Sequence, residues 1–277
     1  MTMTKQEKKL NHLQEILAAY GGALVAYSGG VDSTFLAKVA NDVLGEKALA
    51  VTAGSETYPQ REVDAAHALA HKLGLRHLLI HTEELEDEHF AANSPDRCYI
   101  CKKELFGKLV AIARQSNIPY VLDGANYDDL ADYRPGTRAG RELGIKSPLQ
   151  EAGFTKEEIR MLSQQMGLPT WDKPSLACLS SRFPYGERIT KEKLNMVALA
   201  EDYLRSLGVG QLRVRHHGNL ARIEVTSDDF GKIYASAGSI VRKIKEAGYK
   251  YVTLDLQGYR TGSLNEVLDS LAQEPGV

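Results

Sequence analysis

A short run rich in glycine and serine carries the clearest chemical signal in this sequence. Residues 28–33 read Ser-Gly-Gly-Val-Asp-Ser, after an apolar segment and before a segment of helical periodicity. A glycine-rich turn at the start of a helix exposes backbone N–H groups, which favour a phosphate together with the helix dipole. Gly29 and Gly30 let the backbone approach an anion closely, and the hydroxyls of Ser28 and Ser33 add donors. The run therefore predicts a phosphate-binding loop.

Asp32 does not fit a pure anion-binding loop, because its carboxylate would repel a phosphate. It indicates instead a bound metal ion or a contact to a ribose. The alternative interpretation is a plain strand-to-helix turn in which Asp32 or Ser33 caps the helix. The run is not a Walker A loop, since no Gly-Lys-Ser/Thr follows it, and it lacks the Gly-x-Gly-x-x-Gly spacing of dinucleotide-binding loops.

Three cysteines form a second group of reactive side chains. Two stand as Cys98-Tyr-Ile-Cys101, and the third is Cys178. A [4Fe–4S] cluster normally takes four thiolates, so three protein thiolates leave one iron open to an external sulfur atom. A zinc site, a redox-active cysteine pair and three unconnected reduced cysteines are the alternatives. The pattern favours a [4Fe–4S] cluster.

A third group consists of basic residues near the ends of predicted strands, namely Arg213, Arg215, His216 and Arg260. The planar fork of an arginine suits two parallel hydrogen bonds to a phosphate. The alternative is that Arg213 and Arg215 merely alternate onto the solvent face of a strand. Taken alone, the alternation of Arg213 and Arg215 is more typical of a solvent face than of a binding site.

The composition excludes several classes of protein. The chain has 277 residues, of which 43% are hydrophobic and 25% charged, and its net charge is −2. That charge gives no general attraction to nucleic acid or acidic membranes, and no apolar run approaches the roughly 20 residues of a membrane helix. The polar start of the chain does not resemble a secretory leader, so we expect a cytoplasmic protein with neither a membrane nor a nucleic-acid partner.

The first half of the chain alternates apolar runs with helical periodicity. The predicted strands are Ala23–Tyr27, Ala48–Ala53, Arg76–His81 and Tyr120–Gly124, and the helices Ser33–Leu44, Gln60–Leu73 and Lys102–Ser116. This order predicts an α/β fold built on a parallel sheet. The carboxyl ends of parallel strands form a ligand crevice, and the glycine-rich run, Thr52 and Gly124 all fall at that edge.

The rest of the chain predicts a loop region, one further helix and a second domain. Residues 123–148 form the loop region, which includes a short helix, and Thr155–Met166 is a helix that starts with a capping box. The later elements are a helix over Thr190–Leu207, strands over Gln211–His216 and Leu220–Val225, a helix over Ser227–Ala247, a strand over Lys250–Leu256 and a short final helix. We predict two domains, residues 1–186 and a small α+β domain over 187–277.

The run Ser28-Gly-Gly-Val-Asp-Ser33, placed after a first strand, resembles the loop of the PP-loop ATP pyrophosphatases. These enzymes have an adenine nucleotide alpha-hydrolase-like fold. The resemblance implies that ATP is cleaved between its α and β phosphates, that this loop holds the pyrophosphate end and that Asp32 helps to bind Mg²⁺. Thr52 and Gly124 at the same edge, and Arg138 in the following loop, are the further candidates for binding ATP.

Several other segments are similar to one branch of that family, the LarE-type sulfur transferases. They are Asn93–Lys103, Asp123–Gly124, Asp132–Gly136, Cys178–Gly186, Leu212–Arg215, Ala221–Glu224 and Tyr251–Arg260. The similarity covers nearly the whole chain. It implies that ATP adenylylates a carboxylate of pyridinium-3,5-biscarboxylic acid mononucleotide, which then becomes a thiocarboxylate for the nickel-pincer cofactor of lactate racemase.

The resemblance also implies roles for single residues. It places the phosphate of the substrate nucleotide on Ser181, Arg213 and Arg260. Weaker candidates for binding the substrate are Arg182, beside Ser181, and the carboxylates Glu201 and Glu224.

The sulfur-donating step departs from the best-known members of this branch. Those members sacrifice the sulfur of a cysteine at the position of Ala177, one residue before Cys178, and have tryptophan at the position of Cys98. We therefore expect Cys98, Cys101 and Cys178 to act as catalytic cluster ligands that pass on sulfide or another sulfur donor, as in related tRNA-modifying PP-loop enzymes. A tRNA thiolase and a non-catalytic adenine-nucleotide sensor are the alternatives, and we expect a homo-oligomer.

Overall fold

The computed structural model describes residues 3–131, 135–174 and 177–260. The helices are α1 (Lys5–Tyr20), α2 (Val31–Leu44), α3 (Gln60–Lys72), α4 (Glu88–Ala91), α5 (Arg97–Gln115), α6 (Pro135–Glu142), α7 (Pro148–Glu151), α8 (Lys156–Gln165), α9 (Lys191–Ser206), α10 (Phe230–Ala235) and α11 (Ala237–Glu246). The strands are β1 (Ala23–Ala26), β2 (Ala48–Gly54), β3 (His77–His81), β4 (Tyr120–Leu122), β5 (Leu212–His217), β6 (Leu220–Val225) and β7 (Tyr251–Leu254). Among these helices, none combines the length and apolarity needed to span a membrane.

The first four strands form a parallel sheet in the order β3-β2-β1-β4. Apolar residues fill β1 because helices cover both faces of the sheet: Val25 packs into one core and Leu24 into the other. Helices α1, α2, α3 and α8 contribute to the first core, and α5 contributes to the second. The predicted α/β fold with a parallel sheet is confirmed.

The second sheet is small and mixed, in the order β5-β6-β7. β5 and β6 are antiparallel, as the predicted hairpin requires, whereas β6 and β7 are parallel. The single helix predicted over residues 227–247 is divided into a 3₁₀ turn, α10 and α11. The backbone of Ser236 leaves the helical conformation and separates α10 from α11. The predicted short final helix lies outside the described residues.

The described chain forms two compact units. One contains residues up to 84 together with 96–176, and the other contains 85–95 together with the residues from 177 onward. The short segment 85–95 is tied to its unit by Asn93, whose side-chain amide donates to the carbonyl oxygens of Pro184 (2.6 Å) and Phe183 (3.4 Å). The division after Gly186 expected from the sequence differs from this partition, and it stays a prediction about independently folding domains.

Helix α5 begins earlier than its apolar spacing indicates. It starts at Arg97 instead of Lys102, and the N-cap residue Asp96 makes no side-chain capping bond. The consequence is chemical, because Cys98 and Cys101 lie in the first turns of a helix and not in a loop.

Candidate active site

The glycine-rich run forms a tight connection between β1 and α2. Gly29 has φ +66°, a left-handed conformation, and a Cβ built on it would lie 2.8 Å from the Cβ of Ala66. Gly30 is the residue that caps α2, and no side chain bonds to the first N–H groups of the helix. The alternative in which Asp32 or Ser33 caps the helix is therefore wrong. The start of α2 is left with donors for an anionic ligand.

The two serines of the run hold its shape. Their Oγ atoms lie 3.0 Å apart, and the backbone N–H of Ser28 donates to Ser33 Oγ at 3.2 Å. Ser33 Oγ in turn donates to the carbonyl oxygen of Gly30 at 3.3 Å. Ser28 and Ser33 thus close the loop on itself, while their predicted bonds to phosphate stay predictions.

Asp32 stands in the first turn of α2 and faces two donors. Its Oδ1 accepts from Asn126 Nδ2 at 3.4 Å, and its Oδ2 pairs with the ammonium of Lys156. The side chain of Asp32 is 21% exposed. A half-buried carboxylate that already holds a cation fits the Mg²⁺ expected there. Asn126 and Lys156 are contacts that no sequence motif identified.

Thr52 and Gly124 border this loop from the ends of β2 and β4. Thr52 Oγ1 donates to the carbonyl oxygen of Tyr27 at 2.8 Å and accepts from His77 Nε2 at 2.8 Å. A Cβ on Gly124 would lie 3.2 Å from the backbone nitrogen of Ser33, so the two chain segments are in close approach. The sheet edge therefore gathers the loop, Thr52 and Gly124, and their contacts to ATP stay predictions.

Arg138, the remaining nucleotide-binding candidate, lies on α6. Its guanidinium carbon is 3.8 Å from the centre of the Tyr99 ring, and its nitrogens lie 3.7 Å from Asp96 and 3.8 Å from Glu142. The side chain is 57% exposed. In this arrangement Arg138 is held against α5, and its predicted contact to ATP stays a prediction.

Cys101 has a buried acidic neighbour. Its thiol donates to Glu84 Oε1 at 3.5 Å, and the same oxygen accepts from Thr82 Oγ1 at 3.1 Å. Glu84 is only 2% exposed. Cys98 is exposed, one turn before Cys101. Glu84 was not identified from the sequence, because no motif connects it with the cysteines.

Cys178 lies in the other unit, and none of the three cysteines forms a disulfide. Within the described ranges, no group of three or more His, Cys, Asp or Glu side chains is arranged to hold a metal ion. The [4Fe–4S] cluster expected from the sequence is thus not shown by the structure.

Arg182 holds the segment that carries Cys178. Cys178 directly precedes a 3₁₀ turn, Leu179–Arg182, to which Arg182 itself belongs. The guanidinium of Arg182, 1% exposed, donates to the carbonyl oxygens of Ala177 and Cys178 and to Ser181 Oγ, each at 2.9 Å. It also donates to both carboxylate oxygens of Glu201, at 2.8 and 3.0 Å. Arg182 therefore fixes the backbone around Cys178.

Glu201 is a fully buried carboxylate on α9. Burial raises the pKa of Glu201, but the Arg182 guanidinium and the backbone N–H of Val214 outweigh burial, so the net pKa lies below its ordinary value. Glu201 is therefore ionised at neutral pH, as the partner of Arg182.

β5 carries two arginines with different surroundings. Arg215 pairs with Glu224 at 2.9 Å and donates to the carbonyl oxygen of Ser181 at 2.7 Å. Arg213 is 5% exposed, donates to the carbonyl oxygen of Leu212 and lies over the Tyr259 ring. Both are buried, so the solvent-face alternative is wrong.

Among the described residues, Arg213 has no carboxylate as a counter-ion. No carboxylate of the described residues lies within ion-pair distance of its guanidinium, whereas Arg182 and Arg215 each have one. Burial lowers the pKa of Arg213, yet a guanidinium stays charged. The exposed Arg260 lies after β7 in the same unit.

In this parallel sheet, β1 leads through Ser-Gly-Gly-Val-Asp-Ser into α2, whose first N–H groups no side chain caps, and this is the arrangement of a PP-loop ATP pyrophosphatase. In agreement, a model of the NAD synthase family matches residues 6–106. The chain is 49% identical to an uncharacterized protein of Synechocystis sp., over 95% of this chain and 98% of that protein.

Two further relatives have described activities. The chain is 42% identical to the pyridinium-3,5-bisthiocarboxylic acid mononucleotide synthase of Lactiplantibacillus plantarum, over 88% of this chain and 89% of that enzyme. It is 27% identical to a tRNA-specific 2-thiouridylase of Desulforamulus reducens, over 54% of this chain and 52% of that enzyme. The chain belongs to the family of the Lactiplantibacillus plantarum synthase, the LarE-type enzymes, and is an ATP-dependent sulfur transferase.

Proposed function

We propose that this enzyme uses ATP to convert a carboxylate of pyridinium-3,5-biscarboxylic acid mononucleotide into a thiocarboxylate, a step in making the nickel-pincer nucleotide. The observation that carries the proposal is the buried guanidinium of Arg213, which has no carboxylate partner among the described residues. An unpaired buried charge is costly, and a substrate phosphate would neutralise it. The synthase from Lactiplantibacillus plantarum, with which the chain shares its family, bears the name of this product.

The chemistry divides into activation and displacement. A carboxylate is a poor electrophile, so one carboxylate oxygen first attacks the α-phosphorus of ATP and pyrophosphate leaves. The start of α2 and the glycine-rich loop bind the departing pyrophosphate, and Asp32 would help to hold an Mg²⁺ ion, which would supply positive charge beside it. A sulfur nucleophile then attacks the acyl carbon, and AMP leaves.

The substrate side of the proposal rests on the second unit. Arg213 binds the phosphate of the mononucleotide, with Ser181 and Arg260 as further ligands. Arg182 and Glu201 position Cys178 and Ser181 through their mutual ion pair. Glu224 has the corresponding role for Arg215. In this division Arg182, Glu201, Arg215 and Glu224 shape the site, and Arg213 contacts the phosphate together with Ser181 and Arg260.

We further propose that Cys98, Cys101 and Cys178 hold a [4Fe–4S] cluster that receives sulfide or another sulfur donor. Two features of the sequence support it: the chain has three thiols that can act as ligands, and it has alanine at position 177, where the sulfur-sacrificing members have cysteine. The cluster would supply an iron that can bind the transferable sulfur. Anaerobically reconstituted enzyme is expected to contain iron and acid-labile sulfide, and Cys101→Ser to lose most of both. Colourless wild-type protein without iron would overturn this part of the proposal.

The main test measures the two half-reactions separately. With ATP, Mg²⁺, sulfide and the dicarboxylate mononucleotide, the enzyme is expected to release pyrophosphate and give a product in which sulfur replaces one oxygen, seen by mass spectrometry. Arg213→Ala is expected to raise the KM for the mononucleotide by roughly tenfold or more while ATP binding is unchanged. Arg242→Ala, in an exposed pair with Glu246, is the matched control. Pyrophosphate release with transfer RNA and not with the mononucleotide would favour a tRNA thiolase instead.

The proposal includes a cytoplasmic homo-oligomer. Size-exclusion chromatography with light scattering tests the assembly, and a monomer at working concentration would contradict it.

A further inference from the structure

Two histidine side chains meet beside the edge of the parallel sheet. His67 lies on α3 and is exposed, and His77 is the first residue of β3, the strand at the edge of the sheet. Their Nδ1 atoms lie 3.1 Å apart, and their ring centres lie 5.2 Å apart. Neither ring takes part in the two half-reactions of sulfur transfer.

The hydrogen bonds of Thr52 fix the position of the proton on the His77 ring. Thr52 donates its single hydroxyl proton to the carbonyl oxygen of Tyr27 at 2.8 Å, so its Oγ1 can only accept from His77 Nε2, also at 2.8 Å. Nε2 therefore carries the ring proton, and Nδ1 of His77 presents a lone pair to His67. Burial and His67 lower the pKa of His77 to about 4, so the His77 ring is neutral at pH 7.

This is the form in which histidine binds a metal ion. A ligating imidazole is neutral, and an oxygen acceptor holds its other N–H, as Thr52 holds Nε2–H of His77. Because Nδ1 of His77 has no proton, His67 donates Nδ1–H to it. If that proton moves to Nε2 of His67, both Nδ1 atoms become ligands without any change of charge.

The distance between the two rings also suits a metal ion. Two nitrogens bound to one tetrahedral zinc ion at about 2.0–2.1 Å lie about 3.3 Å from each other. The observed separation of the two Nδ1 atoms is 3.1 Å, so the rings need to part by only a few tenths of an ångström. The ion would take the place of the proton that the two rings now share.

We propose that His67 and His77 form a binding site for a divalent late transition-metal ion of the Zn²⁺ type. Imidazole nitrogen suits such ions, whereas Mg²⁺ and Ca²⁺ prefer oxygen ligands. In the part of the chain that the structure describes, no third His, Cys, Asp or Glu joins the pair, so water completes the coordination. The site is separate from the Mg²⁺ expected at Asp32 and from the cysteines, and it does not depend on the proposed function.

Both ligands belong to elements that support the phosphate loop. His77 holds Thr52, and Thr52 holds the carbonyl oxygen of Tyr27, the residue before Ser28. Helix α3 carries His67 next to Ala66, the residue that packs closely against Gly29. A metal ion bound by the two histidines therefore joins α3 to β3 beside the loop.

The test measures Zn²⁺ binding by the tag-free enzyme at neutral pH, with a chromophoric chelator as competitor. Wild-type enzyme is expected to hold one more Zn²⁺ per chain than His67→Gln, since ions bound by cysteines or by Asp32 are common to both proteins. His67 is exposed, and glutamine can still donate to Nδ1 of His77, so the variant loses a ligand and keeps the fold. In crystals soaked with Zn²⁺, anomalous scattering is expected to place an ion between the two Nδ1 atoms.

Two further variants separate a built site from loose binding by a surface imidazole. His12→Gln removes an exposed histidine that pairs with Glu15 on α1, and it is expected to leave Zn²⁺ binding unchanged. Thr52→Val removes the acceptor of His77 Nε2–H and touches neither ligand. It is expected to weaken binding of this Zn²⁺ by about tenfold or more, because the outer hydrogen bond orients the ring.

Three results would overturn the proposal. The first is an equal Zn²⁺ content in wild-type enzyme and His67→Gln, and the second is an anomalous peak only at other residues. The third is an unchanged affinity in Thr52→Val, which would identify an adventitious ion on a surface histidine. An enzyme that binds this Zn²⁺ and fails to thiolate the mononucleotide would contradict the proposed function alone.

Discussion

Replacing Gly29 by alanine tests whether the phosphate loop is shaped by close packing or only by backbone conformation. The new Cβ would lie 2.8 Å from the Cβ of Ala66, at a residue with φ +66°. A left-handed conformation costs a residue with a Cβ about 1–2 kcal/mol. Crowding of two carbons on well-packed elements adds about 1–3 kcal/mol. We expect Gly29→Ala to lower the free energy of unfolding by about 2–5 kcal/mol.

Gly21 provides a matched control for this variant. It has the same φ of +66°, but a Cβ on it meets nothing within 4 Å. Gly21→Ala is therefore destabilised only by the left-handed backbone conformation. The difference between the unfolding free energies of the two variants measures the cost of the contact with Ala66. Urea unfolding gives both free energies, and equilibrium dialysis gives the affinity for ATP.

The loop has two ways to respond to the added carbon. If it keeps its shape, the loss of stability exceeds that of Gly21→Ala, and if it moves away from Ala66, the affinity for ATP falls instead. Equal stabilities together with an unchanged affinity for ATP would refute the reasoning.

Two further predictions concern buried charge and pH. Glu201→Gln leaves the buried guanidinium of Arg182 without its counter-ion and is expected to lower the free energy of unfolding in urea by about 3–5 kcal/mol. The control Glu246→Gln, in an exposed ion pair, is expected to change it very little, and equal losses of stability in the two variants would contradict the prediction. Burial and the neighbouring His67 lower the pKa of His77 to about 4, so the folded state keeps it neutral where the unfolded chain binds a proton. Stability is therefore expected to fall by roughly 1–2 kcal/mol as the pH drops from about 6.5 to 4, and less in His77→Gln, which unfolding at both pH values checks.

The sequence was sufficient for the parts of the site that depend on local pattern. Residues 28–33 follow an apolar strand and precede a periodic helix, so both the turn and its place at the sheet edge could be predicted. The capping box of Thr155 and Glu158 was predicted for the same reason, because its partners are three residues apart. These signals are local, and local geometry follows from residue type.

Contacts between distant residues could not be predicted in this way. Lys156 meets Asp32 across 124 positions of the chain, and Cys101 meets Glu84 across 17. The burial of Arg213 was ambiguous, since alternating charged residues on a strand suit either a solvent face or a buried ligand site. Its environment depends on packing that no spacing encodes.

The segment 85–95 has a consequence for how this protein can be rearranged by genetic exchange. Asn93 bonds to residues 183 and 184, and Ala91 accepts from the N–H of Ile189, so an early piece of the gene encodes part of the later unit. A single crossover anywhere between these positions would join a segment from one parent to a partner from the other. A chimera of two related enzymes that exchanges the residues from 177 onward must therefore exchange residues 85–95 as well.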